Sequence, residues 1–202
     1  IKSAIETGTV PASLQTHLDR CLTCRACETT CPAGVEYGRV LDFGRELAER
    51  AVPRGATERL LRRGLRAVLP HPRRFAALLG VGRTLRPLLP APLKALIPPA
   101  QAAGPRPGTR HARRMLLLAG CVQDALAPRI NAAAARVLDR LGITLEVAPA
   151  AGCCGAISQH LTATGEARDF MRRNIDAWWP HIEAGAEAIV VTASGCAVQV
   201  KD

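Results

Sequence analysis

The sequence predicts an α/β chain in which a helical, cysteine-rich region precedes a parallel β-α-β-α-β unit. Three observations carry this expectation. Four cysteines fall within the eleven residues from Cys21 to Cys31, and a helical pattern follows them. Between residues 53 and 114 the chain is strongly basic and interrupted by prolines. After that, short apolar runs alternate with stretches of helical periodicity, an order that gives parallel strands joined by helical crossovers.

The first region is read from "RCLTCRACETTCPA", which spaces Cys21, Cys24, Cys27 and Cys31 as C-x2-C-x2-C-x3-C-P. Structural zinc usually draws two cysteine pairs from separate loops, whereas these four lie in one continuous stretch. The spacing is that of bacterial ferredoxins, in which three thiolates hold one [4Fe–4S] cluster and the fourth reaches a neighbouring one. Residues 1–52 are therefore expected to be a helical, ferredoxin-like [4Fe–4S] region, half of a two-cluster domain. Cys21, Cys24 and Cys27 would hold one cluster and Cys31 the other. A single cube held by all four is the open alternative, and zinc and disulfides are weaker ones. No cysteine precedes Cys21 and the chain opens on Ile1, so an upstream motif is expected. Val35, Val40, Leu41, Phe43 and Leu47 recur at roughly helical spacing, which predicts a helix leaving the cluster.

Residues 53–114 are expected to be a basic helical connector. They hold fourteen Lys and Arg against the single acid Glu58, a local charge of +13, while the rest of the chain sums to −3. In "TERLLRRGLRAVLP", Leu60, Leu61, Leu65, Val68 and Leu69 fall on one helical face, and Arg59, Arg62, Arg63 and Arg66 largely on the other. Pro70-His71-Pro72 ends that helix, a shorter one is expected near 73–80, and "PPAQAAGPRPGTR" reads as a linker. Two readings of the Arg face stand: a solvated face of a helix packed on its own domain, or a face turned to a partner or an anionic membrane surface. Nucleic acid is excluded as a partner, because no recognition motif or aromatic interleaving accompanies the charge. The most apolar stretch, 75–99, is broken by Arg83, Arg86, Lys94 and five prolines, so it does not span a bilayer. No signal peptide is visible, and clustered and vicinal cysteines suit a reducing compartment. The expected location is cytoplasmic, peripheral on the inner membrane if the connector docks there.

The third region, 115–202, is read element by element. "MLLLAG" is a buried strand, and Pro128 opens a helix with Ile130, Ala134, Val137, Leu138 and Leu141 on one face, closed by Gly142. "ITLEVAP" is the second strand. A long helix follows through 166–185, with Phe170, Met171, Asn174, Ile175, Trp178 and Ile182 at helical intervals, and "AIVVTAS" is the third strand. Cys121, Cys153 with Cys154, and Cys196 follow the first, second and third strands. Parallel strands all end on one edge, where open α/β folds bind ligands, so these four thiols are expected to form one metal site. Small buried hydrophobes are the plainer reading of the same cysteines. Ligand type leaves iron–sulfur and zinc both open. His17 and His160 lie near the cysteine motifs and are expected to be exposed or hydrogen-bonded rather than ligands.

With these residues in hand, the chain resembles the iron–sulfur subunit family of bacterial glycolate oxidase, related to heterodisulfide reductase and lactate-utilisation subunits. The stretches that carry the resemblance are "HLDRCLTCRACETTCPAGVEYGR", "AGCVQ", "INAAAARVLDRLGI", "APAAGCCGAISQHL" and "MRRNIDAWWPHIEAGAEAIVVTASGC". The family's cysteine-rich (CCG) module has a C…CCG…CxxC pattern, onto which Cys121, Cys153, Cys154 and Cys196 fall; position 199 is Gln, so the last pair is incomplete. The resemblance implies a two-cluster ferredoxin region followed by two CCG modules, of which this chain holds half of the first and one copy of the second. It also implies electron transfer from a flavin-containing partner subunit that oxidises glycolate or a similar 2-hydroxy acid, towards the membrane quinone pool. The chain has no G-x-G-x-x-G after a strand and no candidate for hydride removal, so no catalytic residue is expected in it. A thiol–disulfide reductase acting at the CCG site and a zinc-stabilised assembly module are the rival readings.

Overall fold

The computed structural model describes residues 1–201. The chain opens with helices α1 (Lys2–Thr7) and α2 (Ala12–Asp19), a short α3 (Ala26–Thr29) within the cysteine run, and α4 (Tyr37–Ala51). Leu18, Leu41 and Ala48 form a small core, with Ile1, Val10 and Leu14 packed around it. Of the expected positions Leu41 is buried on α4, joined there by Gly44, Arg45 and Ala48, whereas Phe43 is 54% exposed. Small residues decide this face: a Cβ on Gly44 would sit 2.8 Å from the Ile1 side chain, so only glycine lets Ile1 seat there.

The connector folds as α5 (Ala56–Val68), α6 (Pro72–Leu85), a single 3-10 turn (Arg86–Leu88) and α7 (Ala91–Leu96). Pro72 starts α6, which runs past the expected 73–80. The orientation of α5 departs from the sequence reading. Leu60 and Leu61 are 71% and 61% exposed, whereas Arg62 and Arg66 are engaged in ion pairs. Leu65, Val68 and Leu69 stay half-buried and Arg59 and Arg63 exposed, as expected, and a buried salt network accounts for the partial rotation. Arg54, with a side chain only 4% exposed, bonds Asp19 at 2.6 Å and Glu49 at 2.5 Å and also reaches Glu58. Arg62 joins it by donating to Asp19 at 2.7 Å, and Arg66 donates to Glu166 at 2.7 Å. Satisfying these charges fixes the rotation of α5 more strongly than burying two leucines.

The C-terminal unit runs β1 (Arg113–Leu118), α8 (Gln123–Leu126), α9 (Pro128–Arg140), β2 (Ile143–Glu146), α10 (Ala156–His160), α11 (Thr164–Glu183), β3 (Ile189–Val191) and α12 (Ser194–Lys201). The sheet has the order β2-β1-β3 and is parallel throughout, with Met115 opposite Leu145 and Leu117 opposite Val190. This is the α/β arrangement the alternation predicts. Leu116, Leu118, Ala148, Cys154, Ala156 and Trp178 form the core beside β1. The expected apolar face of α9 is turned outward, with Val137 59% and Leu141 64% exposed, and Asn131 and Ala132 are buried instead. Asn131 holds that face: it donates to Ala119 O and Asp124 and accepts from Gln123 and Thr192. These bonds tie α9 to the carboxyl ends of β1 and β3, where the cysteines lie.

Candidate metal centre

The first cysteine group is held by the turn between α2 and α3. Thr23 and Arg25 flank Cys24 and both adopt the left-handed region, with φ of 55° and 57°, which L-residues occupy only when the surroundings impose it. The turn wraps the chain so that the Thr23 N–H points to Cys21 Sγ at 3.5 Å. Cys21, Cys24 and Cys27 are exposed and Cys31 half-buried. Backbone N–H groups of Val35 and Ala33, with that of Gly34, hold the Cys31 thiol below its ordinary value. Thiolate is the metal-binding form, so N–H groups aimed at sulfur fit a thiolate-ligated cluster. His17 is exposed on α2, away from any ligating role the structure displays.

The second group assembles from the three strand ends. Cys121 follows β1, Cys153 and Cys154 lie in the loop after β2, and Cys196 sits in the first turn of α12, directly after β3. Cys153 is within hydrogen-bonding reach of Cys121 and Cys154, and Cys154 of Cys196. All four cysteines thus lie around one cavity at the strand ends. All eight cysteines are free, and among the described residues no group of three or more His, Cys, Asp or Glu converges on a point where one metal ion would sit. Hydrogen bonding among these thiols, shared by Cys153 between Cys121 and Cys154 and extended by Cys196 to Cys154, lowers Cys154 and Cys121 and raises Cys153 and Cys196.

The turn that carries the pair is built for close approach. Gly155 adopts φ +90°, and its N–H points to Cys153 Sγ at 3.4 Å. Asn174, buried on α11, accepts from Gly152 N at 2.8 Å and donates to Cys153 O at 2.9 Å. A mostly apolar cavity of about 530 Å³ opens beside the sulfurs, lined by all four cysteines together with Leu22 and His160. One buried donor beside the pair has no partner: Trp178 Nε1, which packs in the same cluster as Cys154. A donor left without an acceptor beside a thiol cluster fits a sulfide-bearing group, whose sulfurs accept hydrogen bonds.

Residues 115–201 match the family described as the CCG cysteine-rich domain. This part of the chain is a CCG domain. The whole chain is also 55% identical, over 203 aligned residues, to the glycolate oxidase iron-sulfur subunit of Escherichia coli (strain K12), covering 100% of this chain and 50% of that protein. It is 25% identical, over 91% of its length, to the probable glycolate oxidase iron-sulfur subunit of Bacillus subtilis (strain 168), of which it covers 46%. The chain thus spans about half the length of these curated relatives. No solved structure matches it. The resemblance read from the motifs therefore holds along the entire chain and not only in the cysteine stretches.

The N-terminal cysteine group and the CCG domain meet at Arg45. Arg45, 5% exposed on α4, donates to Leu18 O, Cys21 O at 2.9 Å, Thr23 Oγ1 at 3.0 Å and His160 Nδ1 at 3.2 Å. Burial and then the Arg45 charge hold His160 below its ordinary value, so its ring is neutral and Nδ1 accepts. One position along α10, Gln159 donates to Asp42 of α4 at 3.0 Å. Sequence reasoning singled out His160 but missed Arg45, Asn174 and Trp178. For Arg45 a signal existed, since it lies four residues after Leu41 and three before Ala48, on the stripe that is buried.

Proposed function

We propose that this chain is the cluster-carrying, electron-transferring part of a glycolate-type 2-hydroxy-acid oxidase complex. The observation that carries the reading is the 55% identity along the whole chain to the E. coli glycolate oxidase iron-sulfur subunit, joined to two cysteine groups whose donors suit clusters. In this reading residues 1–52 are the ferredoxin-type region, 53–114 the connector and 115–202 the CCG module. Cys21, Cys24 and Cys27 hold a [4Fe–4S] cluster, Cys31 serves a neighbouring cluster, and Cys121, Cys153, Cys154 and Cys196 hold a further iron–sulfur cluster. Bound there, such clusters accept and pass on single electrons. The protein's own work is positional. Backbone N–H groups stabilise the Cys31 thiolate, Asn174 sets the Cys153–Cys154 turn, and Trp178 Nε1 supplies a donor to sulfur. Gln199 lines a small cavity with Cys154 and Trp178, at the position where the CxxC pattern lacks its second thiol.

The electrons come from a flavin-bearing partner subunit and leave towards quinone at the inner membrane, on whose cytoplasmic face the connector lies. Among the described residues no helix is long and apolar enough to cross a membrane. The exposed leucines and arginines of α5 to α7 form the docking surface.

Iron, zinc and acid-labile sulfide content of the anaerobically purified full-length protein, with its EPR spectrum, tests the assignment. Iron at both cysteine groups is the expected result, and zinc alone at the CCG site would remove its redox role. Cys31→Ser should perturb a cluster other than the one lost in Cys24→Ser; loss of the same signal in both variants would overturn the three-plus-one division. A second reading is favoured by the open apolar cavity beside Cys154: a site that reduces a bound disulfide. Turnover of a disulfide substrate that vanishes in Cys154→Ser would support it.

A further inference from the structure

We propose that Arg45 is the positioning residue that holds the two cysteine centres against one another. The inference rests on the reading that both centres carry iron–sulfur clusters, and it adds the element that fixes their relative placement. A guanidinium has five N–H donors in a rigid fork. Here all five are used: Nε and Nη2 donate to Leu18 O, Nη2 also to Cys21 O, and Nη1 to Thr23 Oγ1 and His160 Nδ1.

Those acceptors belong to two different parts of the molecule. Leu18 O lies in the last turn of α2, and Cys21 O and Thr23 Oγ1 lie in the loop that presents Cys21 and Cys24. His160 ends α10, the helix that begins directly after Cys153-Cys154-Gly155. One buried side chain therefore closes the first cysteine loop and grips the helix that leaves the second cysteine pair. The same closure places Leu22, the residue between Cys21 and Thr23, as a wall of the cavity lined by Cys121, Cys153, Cys154 and Cys196. Gln159 to Asp42 is the single further side-chain hydrogen bond between α4 and α10 among the described residues. Lysine cannot replace this arrangement, because three donors on one point charge do not reach acceptors spread around a plane.

The test uses the full-length protein, purified anaerobically with its partner subunits, in four forms: unaltered, Arg45→Lys, His160→Leu and His160→Gln. Hydrogen exchange is read over 18–27 and 156–161, and EPR reports magnetic interaction between clusters. In Arg45→Lys and His160→Leu, exchange should rise at least tenfold in both segments together, with loss or narrowing of the inter-cluster interaction. His160→Gln, which keeps an acceptor, should restore most of the protection. Loosening of 18–27 alone in Arg45→Lys, with 156–161 unchanged, would overturn the proposal and leave Arg45 as a cap of α2. Should Arg45→Lys fail to fold, His160→Leu still decides, since unchanged exchange at 18–27 in that variant is equally fatal. Iron content of the same samples separates the two claims: absence of iron from the unaltered protein sinks the cluster assignment, and the exchange data then judge Arg45 alone.

Discussion

At the residue scale, the CCG turn depends on a few atoms with no substitutes. A Cβ at Gly155 would lie 2.8 Å from Ala167 O, and φ is +90° there, so Gly155→Ala meets both backbone strain and a backbone clash. Thermal or denaturant unfolding of the metal-free protein should show a loss of at least about 2 kcal/mol. Asn174→Ala strands the Gly152 N–H and leaves the Cys153 carbonyl with only the longer bond from Arg173 at 3.4 Å, a loss of about 1–3 kcal/mol for the group left unpaired. Asn174→Asp keeps the acceptor for Gly152 but loses the donation to Cys153 O, so it should fall between. Trp178→Phe removes an indole N–H that has no partner among the protein's own atoms. If that donor serves a cluster sulfur, it stabilises the more negative, reduced form. The variant should then shift the CCG-site potential downward in a redox titration while leaving the first centre unchanged; an unmoved potential would assign Trp178 to packing alone.

At the element scale, the connector is joined to the cysteine region by charge. Burial pushes the Asp19 carboxyl up, but hydrogen bonds and charge from Arg54 and Arg62 outweigh it, and the group titrates below its ordinary 3.8. A carboxyl depressed in the folded state stabilises fully above its unfolded value, and the contribution fades as pH falls through the folded one. Asp19→Asn should therefore lower stability at pH 7 by about 1 kcal/mol and flatten the acid limb of the stability curve below pH 4, while matching the parent protein more closely at pH 2. The same network explains which elements the sequence disclosed. Strands β1, β2 and β3 and helices α9 and α11 were legible because apolar runs and periodicity mark them, and the strand-end placement of Cys121, Cys153, Cys154 and Cys196 followed from their order. Helical faces were less legible. Leu60 and Leu61 had the spacing of a buried stripe, yet Arg54 and Arg62 needed carboxylates from Asp19, Glu49 and Glu58, and that need is invisible until α2, α4 and α5 are brought together. Arg45 was obscured for the same reason: its four acceptors come from residues up to 115 positions away.

At the scale of the whole molecule, the basic connector is also where apolar side chains face outward. Leu60, Leu61, Leu78, Val81, Leu85, Leu88, Leu93 and Leu96 are each 46% or more exposed, with Leu88 at 82% and Leu96 at 75%. Arg59, Arg63, Arg73 and Arg74 are exposed on the same helices. Leucines set among arginines suit the boundary between acyl chains and anionic headgroups, where apolar burial and charge attraction add. The arginines that pack inward, Arg54 and Arg62, are already neutralised by carboxylates. The intact protein should therefore bind vesicles containing anionic lipid and release them as salt rises, because screening shortens the reach of the exposed charges. Changing Arg59, Arg63, Arg73 and Arg74 together to Gln should weaken binding roughly a hundredfold to a thousandfold, at about 1 kcal/mol for each charge near the surface. Leu88→Glu with Leu96→Glu should abolish binding even at low salt, which a purely electrostatic attachment would survive. Vesicle co-sedimentation checks both variants, and equal recovery of parent and variant proteins at low salt would assign this face to a protein partner instead.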